Sequence, residues 1–206
     1  MAGFWYDSAD KTNPISEPKR KFRFTVSFEG IDASYGGALL WYAKTADKPS
    51  FQISAGEHKY LNHTFHYPGS VTWQDVSISL VDPVDPDMAA TLSAIIIAGG
   101  YSPPSTFDDL NSMSKASAVS ALGKVTISQL NAEGNPLETW SLWNAWIAEL
   151  KYGDLEYGSD DLTQLDLTLK YDWAKLEVGS DSKGAALKAG AAEGVEGMTS
   201  TEFFRP

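Results

Sequence analysis

Cysteine is absent from this chain of 206 residues, which removes disulfides, thiolate metal sites and cysteine nucleophiles at one stroke and leaves the redox compartment unread. Long hydrophobic runs are missing as well. No uninterrupted apolar stretch approaches the roughly 18 to 20 residues that span a bilayer, so no membrane partner is expected. The start of the chain, with Asp7, Asp10 and the cluster Lys19-Arg20-Lys21, lacks the basic start and apolar stretch of a secretory signal. Positive charge is scarce: 16 Lys and Arg stand against 27 Asp and Glu, a net charge of −11. Residues 1–25 carry +2, residues 26–176 carry −11 and residues 177–206 carry −2. Tight DNA binding calls for a basic stripe to neutralise phosphates, and none is present. Histidine is limited to His58, His63 and His66. Residues 63 and 66 fall on opposite phases of a strand, so they would not share a metal ion. No phosphate-cradling glycine loop, Gly-x-Ser-x-Gly elbow or His-Glu-x-x-His helix occurs. The sequence therefore assigns no catalytic residue, no metal site and no cofactor, and the chain does not read as an enzyme.

What is present is a core-forming β pattern. With 43% hydrophobic and 12% aromatic residues the chain can bury one substantial core, so one β domain over residues 19–176 is expected. Phe22, Phe24, Val26 and Phe28 alternate with Arg23, Thr25, Ser27 and Glu29, the two-residue period of a half-buried strand. Residues 38–45 and 59–67 read as further strands, joined by a connection over 46–58 that is long for a hairpin. Residues 71–81 read as one strand with a bulge near Gln74-Asp75. Residues 125–130 and 137–143 pair across the turn chemistry of Gly134-Asn135-Pro136. The longest segment is 162–176, where Leu165, Leu167, Leu169, Tyr171 and Trp173 alternate with Asp166, Thr168, Lys170 and Asp172. It exceeds an ordinary strand and so belongs to a large sheet or to one shared between copies. Trp73, Trp140, Trp143 and Trp173 are assigned to the core, because their neighbours alternate as buried strand faces do.

One principal helix is marked clearly. Asp85 reads as its N-cap, Pro86 as its first residue and Asp87 as an acid at the positive end of the dipole. Met88, Leu92, Ile95 and Ile96 form its apolar stripe and Gly99-Gly100 ends it. Residues 101–115 read as a loop and residues 116–122 as a short helical addition. The ends of the chain differ in kind. Residues 1–18 form a polar arm around Phe4, Trp5 and Tyr6, whose aromatics suit a partner surface. From residue 177 onward ten of the last thirty residues are Gly or Ala, the composition of a flexible tail.

The order of these elements resembles the tail tube protein of contractile-tailed bacteriophages. The likeness rests on Ser70-Val71-Thr72-Trp73-Gln74-Asp75-Val76-Ser77-Ile78-Ser79-Leu80-Val81-Asp82 before the helix. It rests also on Leu142 to Trp146 followed by Ile147 to Glu149, the acidic turn Gly158-Ser159-Asp160-Asp161, and the closing strand from Leu162 to Trp173. It covers residues 20–176, and departs from the family pattern at Ile147, where proline is common. The resemblance implies a mainly β subunit with one principal helix, an antiparallel β-barrel or sandwich whose hairpins join an inter-subunit barrel in a hexameric ring. Implied partners are other copies stacked into a tube, a tail sheath protein, baseplate hub and tail terminator proteins, and a tape measure protein inside the tube. Double-stranded DNA would pass through without tight binding. The implied location is the virion tail, assembled in the host cytoplasm. On this reading the barrel hairpins are 38–45 with 59–67 and 125–130 with 137–143. Phe4, Trp5, Tyr6, Asp47, Lys48, Phe51 and Glu57 become ring-to-ring candidates, and Glu133 and Glu138 candidates for an acidic lumen that repels phosphate. Two alternatives stand beside it: the inner tube of a related contractile injection or secretion system, and a carbohydrate-binding β-sandwich module stacking sugars on Trp41, Tyr60 and Tyr67.

Overall fold

Among the described residues, the alternating segments of the sequence become two four-stranded antiparallel sheets with a buried layer between them, and one long hairpin that joins neither. The structure, a computed structural model, describes residues 18–31, 42–85, 87–101, 104, 112–158 and 160–179. Sheet A is ordered β1 (Phe24–Phe28), β6 (Val125–Leu130), β7 (Pro136–Trp143) and β10 (Trp173–Val178). Sheet B is ordered β2 (Ala43–Ala46), β5 (Val76–Val81), β9 (Gln164–Lys170) and β8 (Trp146–Lys151). The remaining strands, β3 (Phe51–Tyr60) and β4 (His63–Trp73), pair with each other.

The core follows from the period of two. Sheet A turns Val26, Phe28, Val125, Ile127, Leu142 and Ala174 inward, and sheet B turns Val76, Ile78, Leu80, Leu165, Leu167 and Leu169 inward, all buried in one cluster. Met88, Leu92 and Ile95 of helix α1 (Met88–Ala98) and Leu122 of helix α2 (Lys115–Leu122) close the same cluster. The outward face of sheet A carries small hydroxyls in register: Ser27 meets Thr126, and Ser128 meets Thr139 at 3.0 Å.

Three corners revise the sequence reading. Residues 162–176 do not form one strand: the chain bends at Tyr171-Asp172, and β9 and β10 lie in different sheets. Asp172 holds the bend, since its N–H donates to the Trp143 carbonyl at 3.0 Å while its carboxylate accepts from Lys115 Nζ at 2.7 Å and Asn144 Nδ2 at 2.8 Å. Asn144 sits at φ 55°, the left-handed turn that lets β7 pass into β8. At Gln74-Asp75 there is a sheet change rather than a bulge, and the bulge of this region lies between Ile53 and Ala55, opposite Gly69 and Ser70. The described part of 38–45, residues 42–45, does not pair with 59–67, because β2 pairs with β5 and the supposed connection 46–58 supplies most of β3; residues 38–41 lie outside the described residues.

The helix boundary also moves. Asp87, not Asp85, is the N-cap, accepting from Ala90 N at 2.8 Å, and Asp82 supplements it by accepting from Met88 N at 3.2 Å. Ser114 caps α2 by accepting from Ser117 N, and Gly123 ends it at φ 69°. There the Gly30 N–H donates to the Leu122 carbonyl, and a Cβ at Gly30 would lie 2.2 Å from Ala121 O, so glycine is required where β1 meets α2. Residue 22 stands outside β1 with Phe22 73% exposed.

Candidate functional site: a long exposed hairpin and its root

Strands of ten and eleven residues, at about 3.3 Å per residue, make β3–β4 roughly 33 Å long. Every residue of the hairpin except Trp73 is exposed. A lone two-stranded hairpin is at best marginally stable in water. This one nevertheless exposes Phe51, Ile53, Tyr60, Leu61, Phe65, Tyr67 and Val71 by 48–85% each. At the surface typical of such side chains that is on the order of 600 Å² of apolar area, beyond what a monomer usually leaves open and close to one partner's share of a standard interface.

Two anchors fix the hairpin's root. On one side Phe51 packs edge-on to Trp73 at 5.1 Å, and Trp73 meets Tyr171 at 5.8 Å. Burial pushes the Tyr171 phenol up to about 12, with the backbone of Ser50 beside it opposing and the charge of Asp75 adding to the rise. On the other side Lys48, just before β3, donates to Glu138 and, at 2.6 Å, to Gln129 Oε1. Glu138 also accepts from Lys19, and Gln129 Nε2 donates to the Arg20 carbonyl at 3.0 Å. Gln129 and Glu138 face each other across β6–β7, both buried. Burial alone would raise the Glu138 carboxyl; hydrogen bonds and charge from Lys19 and Lys48 outweigh it and hold the group below its ordinary value. Three separate stretches of sequence therefore meet on one carboxylate.

The residues singled out from sequence fall in different places. Lys48 and Glu138 come together, so Glu138 is an internal ion-pair partner rather than a bare acid, and Lys48 is engaged within its own chain. Glu133 is exposed at the β6–β7 turn, where its N–H donates to Asn131 Oδ1 at 2.9 Å. Asp47 is exposed, with its N–H on the Ser77 carbonyl. Glu57 lies on the hairpin 3.8 Å from His66 Nδ1. Trp73 and Trp140 are partly buried against the core. Trp143 and Trp173 are surface residues, 45% and 39% exposed, stacked on each other at 6.2 Å; the Tyr171-Asp172 corner flips the phase, so Ala174 faces inward in place of Trp173. Phe4, Trp5, Tyr6 and Trp41 lie outside the described residues, as does the tail from residue 180. Tyr60 and Tyr67 are both exposed on the hairpin. Sequence reasoning missed Ile53, Phe65 and Val71 as surface candidates, although their alternation within 51–73 was there to be read. Among the described residues no group of three or more His, Asp or Glu is placed to hold a metal, and no helix is long and apolar enough to cross a membrane.

No family model matches the sequence, and no curated protein matches it by sequence comparison. Solved structures do match by shape. A chain of the anti-feeding prophage cap, the tube terminating cap, superposes with a TM-score of 0.57 at 20% identity, over 84% of this chain and 98% of that one. A chain of the sheath–tube complex of PVC, an extracellular contractile injection system, in the extended state gives 0.53 at 21% identity, over 80% and 94%. A chain of the PVC sheath/tube terminator gives 0.53 at 21% identity, over 79% and 99%. At these identities the likeness is one of fold: the chain has the β-rich fold found in components of contractile injection systems.

Proposed function

We propose that this chain is a tube subunit of a contractile injection apparatus, six copies closing into a ring and rings stacking into a hollow tube. The observation that carries the reading is the β3–β4 hairpin, which is long, apolar and, among the described residues, paired with no further strand, on a body whose fold recurs in such machines. Closing sheets between copies would cover that surface and remove the free strand edges that otherwise invite disordered aggregation. The role is structural and non-enzymatic. The apparatus is a bacteriophage tail in the fuller form of the proposal, with a sheath outside, a baseplate hub and a terminator at the two ends, and a tape measure protein within. Double-stranded DNA would pass through the bore, and the tail would assemble in the host cytoplasm. The inner tube of an extracellular injection system is the second reading, favoured by the origin of the superposed structures.

Phe51 and Glu57 belong to the proposed contact surface, Asp47 lies at its root, and the arm with Phe4, Trp5 and Tyr6 is a proposed connector between rings. The acidic bore rests on Glu133 and the net charge of −11, with Glu138 withdrawn from it by its two lysines. Sedimentation of the chain against a variant in which residues 51–73 are replaced by a short turn tests the proposal. Large assemblies for the full chain and a folded monomer for the variant are expected; equal sedimentation of the two as monomers would overturn it.

A further inference from the structure

The apolar side of the β3–β4 hairpin changes face partway along its length. In the register of the ladder, Phe51, Ile53 and Ala55 share one face with Trp73, Val71 and Pro68. That same face continues toward the tip as Glu57, Lys59, His66 and Thr64. The opposite face begins at the root as Gln52, Ser54, Thr72 and Ser70, with Ser54 Oγ 3.2 Å from Ser70 Oγ, and becomes His58, Tyr60, Phe65 and Tyr67 toward the tip. The exchange happens at Ala55-Gly56 and Tyr67-Pro68. One flat partner covers one face of a ribbon, and a sheet docked on one side keeps its apolar residues on that side throughout. A ribbon whose apolar residues cross over needs a neighbour on each side.

We propose that the hairpin is clamped between two other copies of this chain, one covering the root face at Ile53 and Val71 and a different one covering the opposite face near the tip at Phe65 and Tyr67. The inference rests on the tube reading and gives the hairpin's place in it. The occupants are copies of the same chain because a stacked assembly repeats heterologous contacts of this kind, and the exposed apolar area, taken over both faces, is close to what one subunit gives to a standard interface and is here shared between two neighbours. The root face also continues directly from the chain's own Trp73–Tyr171 cluster, so a copy seated there extends an existing core. The tip face has no such continuation and relies on its partner for all its cover.

Because the chain has no native cysteine, single-cysteine variants report one position each. Val71→Cys and Tyr67→Cys mark the two apolar patches, and Thr64→Cys and Thr72→Cys mark the polar patch behind each. Ile53→Cys and Phe65→Cys repeat the apolar positions, so that one variant failing to assemble does not decide the matter. Maleimide labelling is timed in dilute, unassembled protein and again in pelleted assemblies of the full chain. The proposal expects all positions to label quickly when unassembled. On assembly the apolar positions should slow about tenfold or more, while Thr64→Cys and Thr72→Cys stay within about twofold. Slowing along a single face, Val71 with Thr64 or Tyr67 with Thr72, would mean one-sided docking and overturn it. Protection before assembly would mean that the chain covers its own hairpin, and protection appearing only when a different protein is added would mean a foreign occupant; either overturns it. If the unsubstituted chain never assembles, the tube reading itself fails, a result distinct from the others.

Discussion

Replacing Glu138 by Gln removes the negative charge on which Lys19 and Lys48 converge while keeping the shape of the side chain. The carboxylate is 11% exposed and the lysine side chains 42% and 49%, so the pair is neither fully buried nor fully solvated. Breaking a buried pair costs about 3–5 kcal/mol and an exposed one about 0–1. The half-exposed lysines can swing into water, which places the loss at about 1–2 kcal/mol, or roughly 3–6 °C in Tm for a domain of this size. The pH dependence follows from the direction of the shift. The folded carboxyl lies below its ordinary value of 4.5, so its stabilisation is complete above that pH and is lost as the pH falls through the folded value. Thermal unfolding followed by circular dichroism, for both proteins across about pH 3 to 8, should give a gap that is full at neutral pH and shrinks on acidification. A gap of zero at neutral pH, or one unchanged at about pH 3, would refute the reasoning.

Other perturbations probe other parts of the account. Leu80→Ala opens a cavity in the fully buried layer between the sheets and should cost about 2–5 kcal/mol in chemical denaturation. Gly30→Ala forces a Cβ onto Ala121 O at 2.2 Å and should destabilise by about 2 kcal/mol or more, read as a lowered denaturation midpoint. Tyr171 has a phenol raised to about 12, so its contribution is present below the ordinary value of 10 and is lost as the pH rises through 12. Tyr171→Phe should accordingly lessen the fall in stability across that alkaline window, measured by denaturant midpoints. Asp172→Asn weakens a largely exposed clasp with Lys115 and should cost under about 1 kcal/mol at neutral pH, an effect that fades in acid because the folded carboxyl is held low.

Elements with one apolar and one polar face were legible in the sequence, and those without that contrast were not. The inward residues Val26, Phe28, Ile127, Leu165, Leu167 and Leu169 follow directly from alternation. The corner at Tyr171-Asp172 was hidden because Trp173 kept the apolar beat while facing out, and alternation cannot tell a core face from a stacked surface pair. The hairpin was hidden for the opposite reason: the alternation of Phe51, Ile53 and Ala55 stops at Gly56, beyond which the apolar position of β3 shifts phase to Tyr60, so the pattern there is too short to mark a ten-residue strand. The contact of Lys48 with Glu138 spans 90 positions and depends on the β6–β7 register placing Gln129 beside Glu138, which no local signal carries. The N-cap moved from Asp85 to Asp87 because two good capping residues stand two positions apart. The sheet A ladder also runs to Val178, two residues beyond the boundary drawn from composition.

Electron microscopy of the purified chain at high concentration tests the central claim most directly. Six-fold rings with a central hole, and hollow stacks of them, are the predicted result; compact monomers that never stack at any concentration would contradict it.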